Sequence, residues 1–172
     1  TASSHEKMAF GSHVHKLTEM HDDNVIGYED LEDRERGHIQ AYEKFKEEVG
    51  LEVIHSELAI YHPLYLYGAK PDRIALIRGI DHPIVVEIKT GKPHPANMLQ
   101  LSAYHEAYNA MPEHIVKAGT SLAVYLSDDG CYKVITNDDH EKNFSIFLSC
   151  IQIMRWKDKY GIGKQTRSYR IG

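Results

Sequence analysis

The sequence predicts a mixed α/β sandwich, one central β-sheet flanked by helices in a single domain. Three observations carry that expectation. Residues 84–89, Ile-Val-Val-Glu-Ile-Lys, form a β-branched run with the composition of a central strand. Helical spacing precedes and follows that run, in the order helix, helix, three or four strands, helix, two strands, helix. The 172 residues, 42% hydrophobic and 26% charged, hold no repeat, low-complexity tract or Pro/Gly/Ser linker, which describes one globular unit.

Each element has its own signal. Ser3 or Ser4 is expected to cap a first helix running to about residue 20, with Glu6 in its first turn. Residues 30–49 read as a second helix, with Ile39, Tyr42, Phe45 and Val49 on one apolar stripe and Gly50 as its stop. Residues 51–61 read as a strand begun by Val53 and Ile54 and continued by Leu58 and Ile60. Residues 64–67 and 73–78 follow as strands, before a turn over 79–83. The 84–89 run stops at Thr90-Gly91. Asn97 is expected to cap a helix over 98–109, with Leu101, Tyr104, His105 and Tyr108 at helical spacing. Strands 121–126 and 132–135 meet at Asp128-Asp129-Gly130, a hairpin turn. A last helix spans 139–160, and 161–172 reads as a frayed basic tail.

Composition excludes several classes. Two cysteines, Cys131 and Cys150, are too few for a disulfide framework or a four-cysteine metal cluster, and lack the short-spaced pairs of a zinc site. No apolar run approaches the roughly 18 residues of a membrane span, and no signal-peptide pattern opens the chain, so a cytoplasmic protein without membrane contact is expected. There is no phosphate-cradling G-x-x-x-x-G-K-[ST] loop, which argues against ATP as a cofactor. Ser12 and Ser102 lack the G-x-S-x-G setting of a nucleophile elbow. The net charge of −5 supplies no global basic footprint for phosphate binding. Acidic residues crowd 22–48, and Lys157, Lys159, Lys164, Arg167 and Arg170 crowd the C-terminus.

The chemically informative segment is Lys70-Pro71-Asp72 followed, after the turn, by Glu87-Ile88-Lys89. Alternation along a strand places Glu87 and Lys89 on one face and Ile88 on the other. A hairpin return brings Asp72 beside Glu87. Two neighbouring carboxylates repel unless a cation sits between them, and hard oxygens suit Mg²⁺ or Mn²⁺. A lysine beside such a cation can orient or deprotonate a water and stabilise charge on a phosphate. An E-x-K triplet alone is equally an exposed ion pair on an edge strand.

The surrounding motifs extend the pattern. Pro71-Asp72 and Glu87-x-Lys89, led by 84–86, are joined by Gly11-x-x-x-His15-x-x-x-Glu19, by Gln100-x-x-x-Tyr104, and by Glu57 before the first hairpin. In this combination, over residues 10–108, the chain resembles the PD-(D/E)XK nuclease superfamily, in its RecB-like and phage-exonuclease branch. The resemblance implies a restriction-endonuclease-like sandwich and metal-dependent hydrolysis of DNA phosphodiesters, in phage-type recombination, replication or repair. It implies metal ligation by His15, Asp72, Glu87 and the main-chain carbonyl of Ile88. Lys89 then activates the water, and Gln100 and Tyr104 organise the substrate side. Glu57, Lys70 and Lys92 are substrate-side candidates. His13 falls on another helix face and is left out.

The chain departs from phage relatives in carrying Gly68-Ala69-Lys70-Pro71 where they have glycine-threonine before the aspartate. It lacks the four cysteines of the iron–sulfur subgroup, so no iron–sulfur cluster is expected. DNA is the implied partner, with a homo-oligomer or a recombination protein left open, and a phage origin would place the chain in the host cytoplasm. Two rivals stand beside an exonuclease: a structure-specific endonuclease on the same residues, and a non-catalytic DNA-binding module that keeps the fold.

Overall fold

The computed structural model of the chain describes residues 3–163. Helix α1 (Ser4–Asp22) opens with a capping box, in which the Ser3 hydroxyl accepts the Glu6 N–H and the Glu6 carboxylate accepts the Ser3 N–H. A single 3₁₀ turn, Tyr28–Asp30, leads to α2 (Asp33–Val49). This helix starts three residues later than its periodicity suggests, because the Glu35 carboxylate accepts the Glu32 N–H at 2.9 Å and fixes the cap there. Gly50, at φ 62°, ends it in the left-handed conformation, and the Leu51 N–H closes back on the Lys46 carbonyl.

Strands β1 (Glu52–Ser56), β2 (Ile60–His62), β3 (Tyr67–Ala69), β4 (Arg73–Leu76) and β5 (Ile84–Lys89) follow. Then come α3 (Ala96–Ala110), β6 (Thr120–Leu126), β7 (Tyr132–Thr136) and α4 (His140–Lys159). Five strands form one sheet in the order β1-β4-β5-β6-β7, and β2 and β3 form a separate two-stranded ribbon. β5 and β6 run parallel, joined by the α3 crossover, and the other pairs are antiparallel. The fold is therefore a mixed α/β sandwich with a central five-stranded mixed sheet flanked by helices.

The expected strand over 51–61 does not exist as one piece. Glu57 takes a positive φ of 52° and its N–H bonds the Asp72 carbonyl at 3.0 Å, which ends β1 and turns β2 out of the sheet. Residues 64–66 are not strand either. They form the turn between β2 and β3, closed by the Leu66 N–H on the His62 carbonyl at 2.8 Å. Asn97 does not cap α3. Pro95 precedes that helix, and the Asn97 amide instead donates to the Tyr125 hydroxyl at 2.8 Å. Residues 161–163 continue α4 as a turn. The remainder of the expected basic tail, 164–172, lies outside the described residues.

Strand alternation sorts the core into two layers. Ile84, Val86 and Ile88 of β5, with Leu122, Val124 and Leu126 of β6, pack against Val14 of α1 and Ala41, Tyr42 and Phe45 of α2. Val85, Ala123 and Tyr125 face the other way, onto Leu101, Ala107 and Tyr108 of α3. α4 packs outside α3 and has no buried residue, touching the β2–β3 ribbon through Phe144 and Phe147. Among the described residues no helix is long and apolar enough to cross a membrane.

Gly37 shows how tightly one layer closes. A Cβ there would stand 1.8 Å from the Asp128 carbonyl oxygen, where the β6–β7 turn lies against α2. Alanine normally favours a helix over glycine by up to ~1 kcal/mol, but here backbone must move to admit it. Gly37→Ala is expected to destabilise the chain by about 1–3 kcal/mol, the usual cost of overpacking. The check is a lower urea midpoint; a raised midpoint would contradict the packing.

Candidate active site

The β4–β5 hairpin builds the centre of the site. Arg73 pairs with Val86, so the preceding residue, Asp72, arrives level with Glu87. The Asp72 Oδ2 accepts the Ile88 N–H at 2.6 Å, which orients the carboxylate and leaves Oδ1 facing the His15 ring, 3.2 Å from its Nδ1. Both carboxylates are buried: Asp72 is 5% exposed and Glu87 3%.

Helix α1 delivers His15, and its approach depends on a small residue one turn earlier. A Cβ on Gly11 would reach 3.3 Å from the Thr90 hydroxyl at the end of β5, so the helix lies close over the strand. The approach is held by Arg73, a residue the motif reading passed over. Its Nε donates to Asp22 Oδ2 at 2.7 Å, its Nη2 to the Thr18 hydroxyl at 3.1 Å, and its Nη1 to the carbonyl of Asp72 itself at 2.7 Å. The sequence signal was present: an arginine inside an otherwise apolar strand demands an acidic partner.

Glu57 enters from the other side. The left-handed backbone that ends β1 brings its carboxylate to the same place, and His15, Glu57 and Asp72 each offer a ligand atom within 4.8 Å of the other two. Burial opposes a charged His15 imidazole, but its hydrogen bond to Asp72 and the Asp72 and Glu87 charges outweigh burial and raise its pKa.

On the sheet face shared with α3, Glu87 and Lys89 project together. Lys89 Nζ donates to Glu87 Oε1 at 2.8 Å and to Gln100 Oε1 at 2.9 Å, and Gln100 Nε2 donates to the Tyr104 hydroxyl at 2.7 Å. Burial and then the charge of Asp72 push the Glu87 carboxyl up to about 7, and among the described residues its buried Oε2 has no hydrogen-bond partner. Burial, with the nearby Glu87 charge, pushes the Tyr104 phenol up to about 12. Tyr104 therefore acts as a neutral hydroxyl that accepts from Gln100 and keeps its own proton to donate.

These donors suit a divalent cation. Two carboxylates and one imidazole converge, and level with Asp72 the Glu87 Oε2 is buried with no hydrogen-bond partner among the described residues. A cation beside that oxygen would remove both the orphaned acceptor and the carboxylate repulsion. Mostly hard oxygen ligands with one imidazole suit a divalent cation.

The remaining expected residues sit differently. Lys70 is exposed and ion-paired with Glu57, and Glu19 pairs with Lys16 at 2.6 Å. His13 contacts Glu35 at 2.7 Å on α2, away from the cluster. Lys92 is exposed and lines a cavity of about 580 Å³ together with Lys7, Arg34 and Lys133. That cavity begins at Thr90, the residue after Lys89, and gathers positive charge that the overall balance conceals. The basic residues at 164, 167 and 170 lie outside the described residues.

No family model and no curated protein matches the chain. Among solved structures, the chain is similar to the crystal structure of LHK-Exo in complex with dAMP, with 22% identity over 94% of this chain and 77% of that one, at a TM-score of 0.43.

Proposed function

We propose that the chain is a divalent-metal-dependent DNA nuclease, an exonuclease of the kind used in phage-type recombination, replication or repair. The observation that carries the reading is the convergence of His15, Glu57 and Asp72, with the orphaned Glu87 carboxylate level with Asp72 and bonded to Lys89. In this reading His15, Asp72 and Glu87, with Glu57 and the Ile88 carbonyl, hold Mg²⁺ or Mn²⁺. Such a cation supplies Lewis acidity to a phosphodiester and lowers the pKa of a water.

The chain's own groups do the rest. Lys89, anchored between Glu87 and Gln100, positions the attacking water and stabilises charge that develops on the phosphate oxygens. Gln100 fixes the Tyr104 hydroxyl, whose free proton is offered to a phosphate oxygen. Attack of the water oxygen at phosphorus breaks the P–O3′ bond, leaving a 5′-phosphate on one fragment and, once the departing oxygen takes a proton from solvent, a 3′-hydroxyl on the other. The basic cavity of Lys7, Arg34, Lys92 and Lys133 continues the path along the DNA backbone, and no ATP or iron–sulfur cluster is required.

The test is degradation of linear and covalently closed DNA with Mg²⁺, Mn²⁺ or chelator, wild type against Asp72→Asn. The amide keeps an oxygen for the Ile88 N–H but removes the charge. Metal-dependent loss of linear DNA with circles spared is expected, reduced about 10²–10³-fold in the variant. Nicked or cut circles would make the chain an endonuclease. No cleavage of single- or double-stranded DNA with either metal would leave a DNA-binding module.

A further inference from the structure

A second group of metal-ligating side chains stands where the nuclease reading makes no demand. His105 and Glu106 of α3 meet His140, the first residue of α4. Glu106 Oε1 lies 2.6 Å from His140 Nε2, His105 Nδ1 lies 3.2 Å from that nitrogen, and His105 Nδ1 lies 3.8 Å from Glu106 Oε1. Zinc bonds of about 2.0–2.1 Å in a tetrahedral arrangement require ligand atoms roughly 3.3 Å apart. The three observed separations straddle that value.

The protons point the same way. His105 Nε2 lies 2.9 Å from the Ala118 carbonyl oxygen, which can only accept, so the ring proton sits on Nε2 and Nδ1 presents a lone pair to the cluster. A metal-binding histidine is ordinarily held in this way, its second nitrogen donating to a main-chain carbonyl. His140 Nε2 faces a carboxylate oxygen at hydrogen-bond distance. One proton on that nitrogen thus lies between two groups that both offer lone pairs.

Beside the cluster, a cavity of about 260 Å³ lined by His105, Thr120, Ser121, Asn137, Asp138 and His140 leaves room for a fourth ligand from water. We propose that His105, Glu106 and His140 form a second divalent-cation site, of zinc type, that ties the start of α4 to α3. Two imidazoles and one carboxylate favour Zn²⁺ over Mg²⁺. The tie has a mechanical purpose, because α4 buries no residue of its own.

The experiment uses tag-free, chelator-stripped chain carrying Asp72→Asn, which weakens the other cluster, titrated with Zn²⁺ by calorimetry. One zinc per chain is expected. Adding His140→Ala should weaken it by at least about 100-fold, and adding Glu106→Gln, which keeps the side-chain shape should the alanine variant fail to fold, by at least about 10-fold. Zn²⁺ should raise the melting temperature of the Asp72→Asn chain and leave that of the double variants unmoved. Absence of zinc binding by the Asp72→Asn chain, or binding that neither added substitution weakens, overturns the proposal.

Discussion

Replacing Lys89 by alanine is expected to slow hydrolysis of linear DNA by about 10²–10⁴-fold, the range for a positioned proton-transfer group. Two consequences reinforce each other. The cation that would face the phosphate is gone, and the Glu87 carboxylate loses its hydrogen bond from Lys89 while remaining buried. In the metal-free chain the Glu87 carboxyl, already up at about 7, then rises further, so at neutral pH it is protonated and a poorer ligand. The fold survives because a buried carboxyl can take up a proton rather than stay charged and unpaired. Single-turnover rates on linear DNA, with circular dichroism to confirm folding, check the prediction. Retention of activity within about tenfold of wild type would remove Lys89 from the chemistry. Lys89→Arg separates the two effects: it restores a charge beside Glu87, yet its planar fork does not reproduce the point donor between Glu87 and Gln100.

What could be read in advance was local. The run at 84–89 declares a buried strand through its β-branched residues, and period-two alternation then assigns Glu87 and Lys89 to one face. The i, i+4 spacing of Gln100 and Tyr104 likewise puts them on one side of α3, where their side chains bond. What could not be read is set by partners far along the chain. Nothing in Ser56-Glu57-Leu58 announces a left-handed residue. Its conformation is held from outside by the Asp72 carbonyl, and it decides both the end of β1 and the arrival of the Glu57 carboxylate beside His15. That Arg73 needs an acidic partner is legible in its apolar strand, but that the partner is Asp22, 51 positions earlier, is not.

That pair also carries the largest expected effect on stability. Arg73 is 1% exposed, and Asp22 answers it, held in place by donation from Lys46 and the Tyr42 hydroxyl. Asp22→Asn removes the carboxylate that the buried guanidinium bonds and leaves only the charge of Asp72, among the described residues, to favour it. It is expected to cost about 3–5 kcal/mol, as when one member of a buried ion pair is removed. For a chain of this size the melting temperature should fall by roughly 6–20 °C. The pH dependence follows from the same contacts. Burial would raise the Asp22 carboxyl, but the nearby His21 ring and the hydrogen bonds from Lys46, Arg73 and Tyr42 overcome it and hold the pKa far below the usual aspartate range. A depressed folded-state pKa gives stability that is fully present above the unfolded value of about 3.9 and drains away as pH falls below it. Urea unfolding from pH 7 down to pH 3 should therefore show a steeper loss in wild type than in Asp22→Asn, the two curves converging toward acid. Parallel curves would mean that the buried arginine is held by something other than this carboxylate. Since Arg73 also grips the Asp72 carbonyl, loosening it should disturb the site together with the fold: α1 would carry His15 away from Asp72 in the same step that costs the stability.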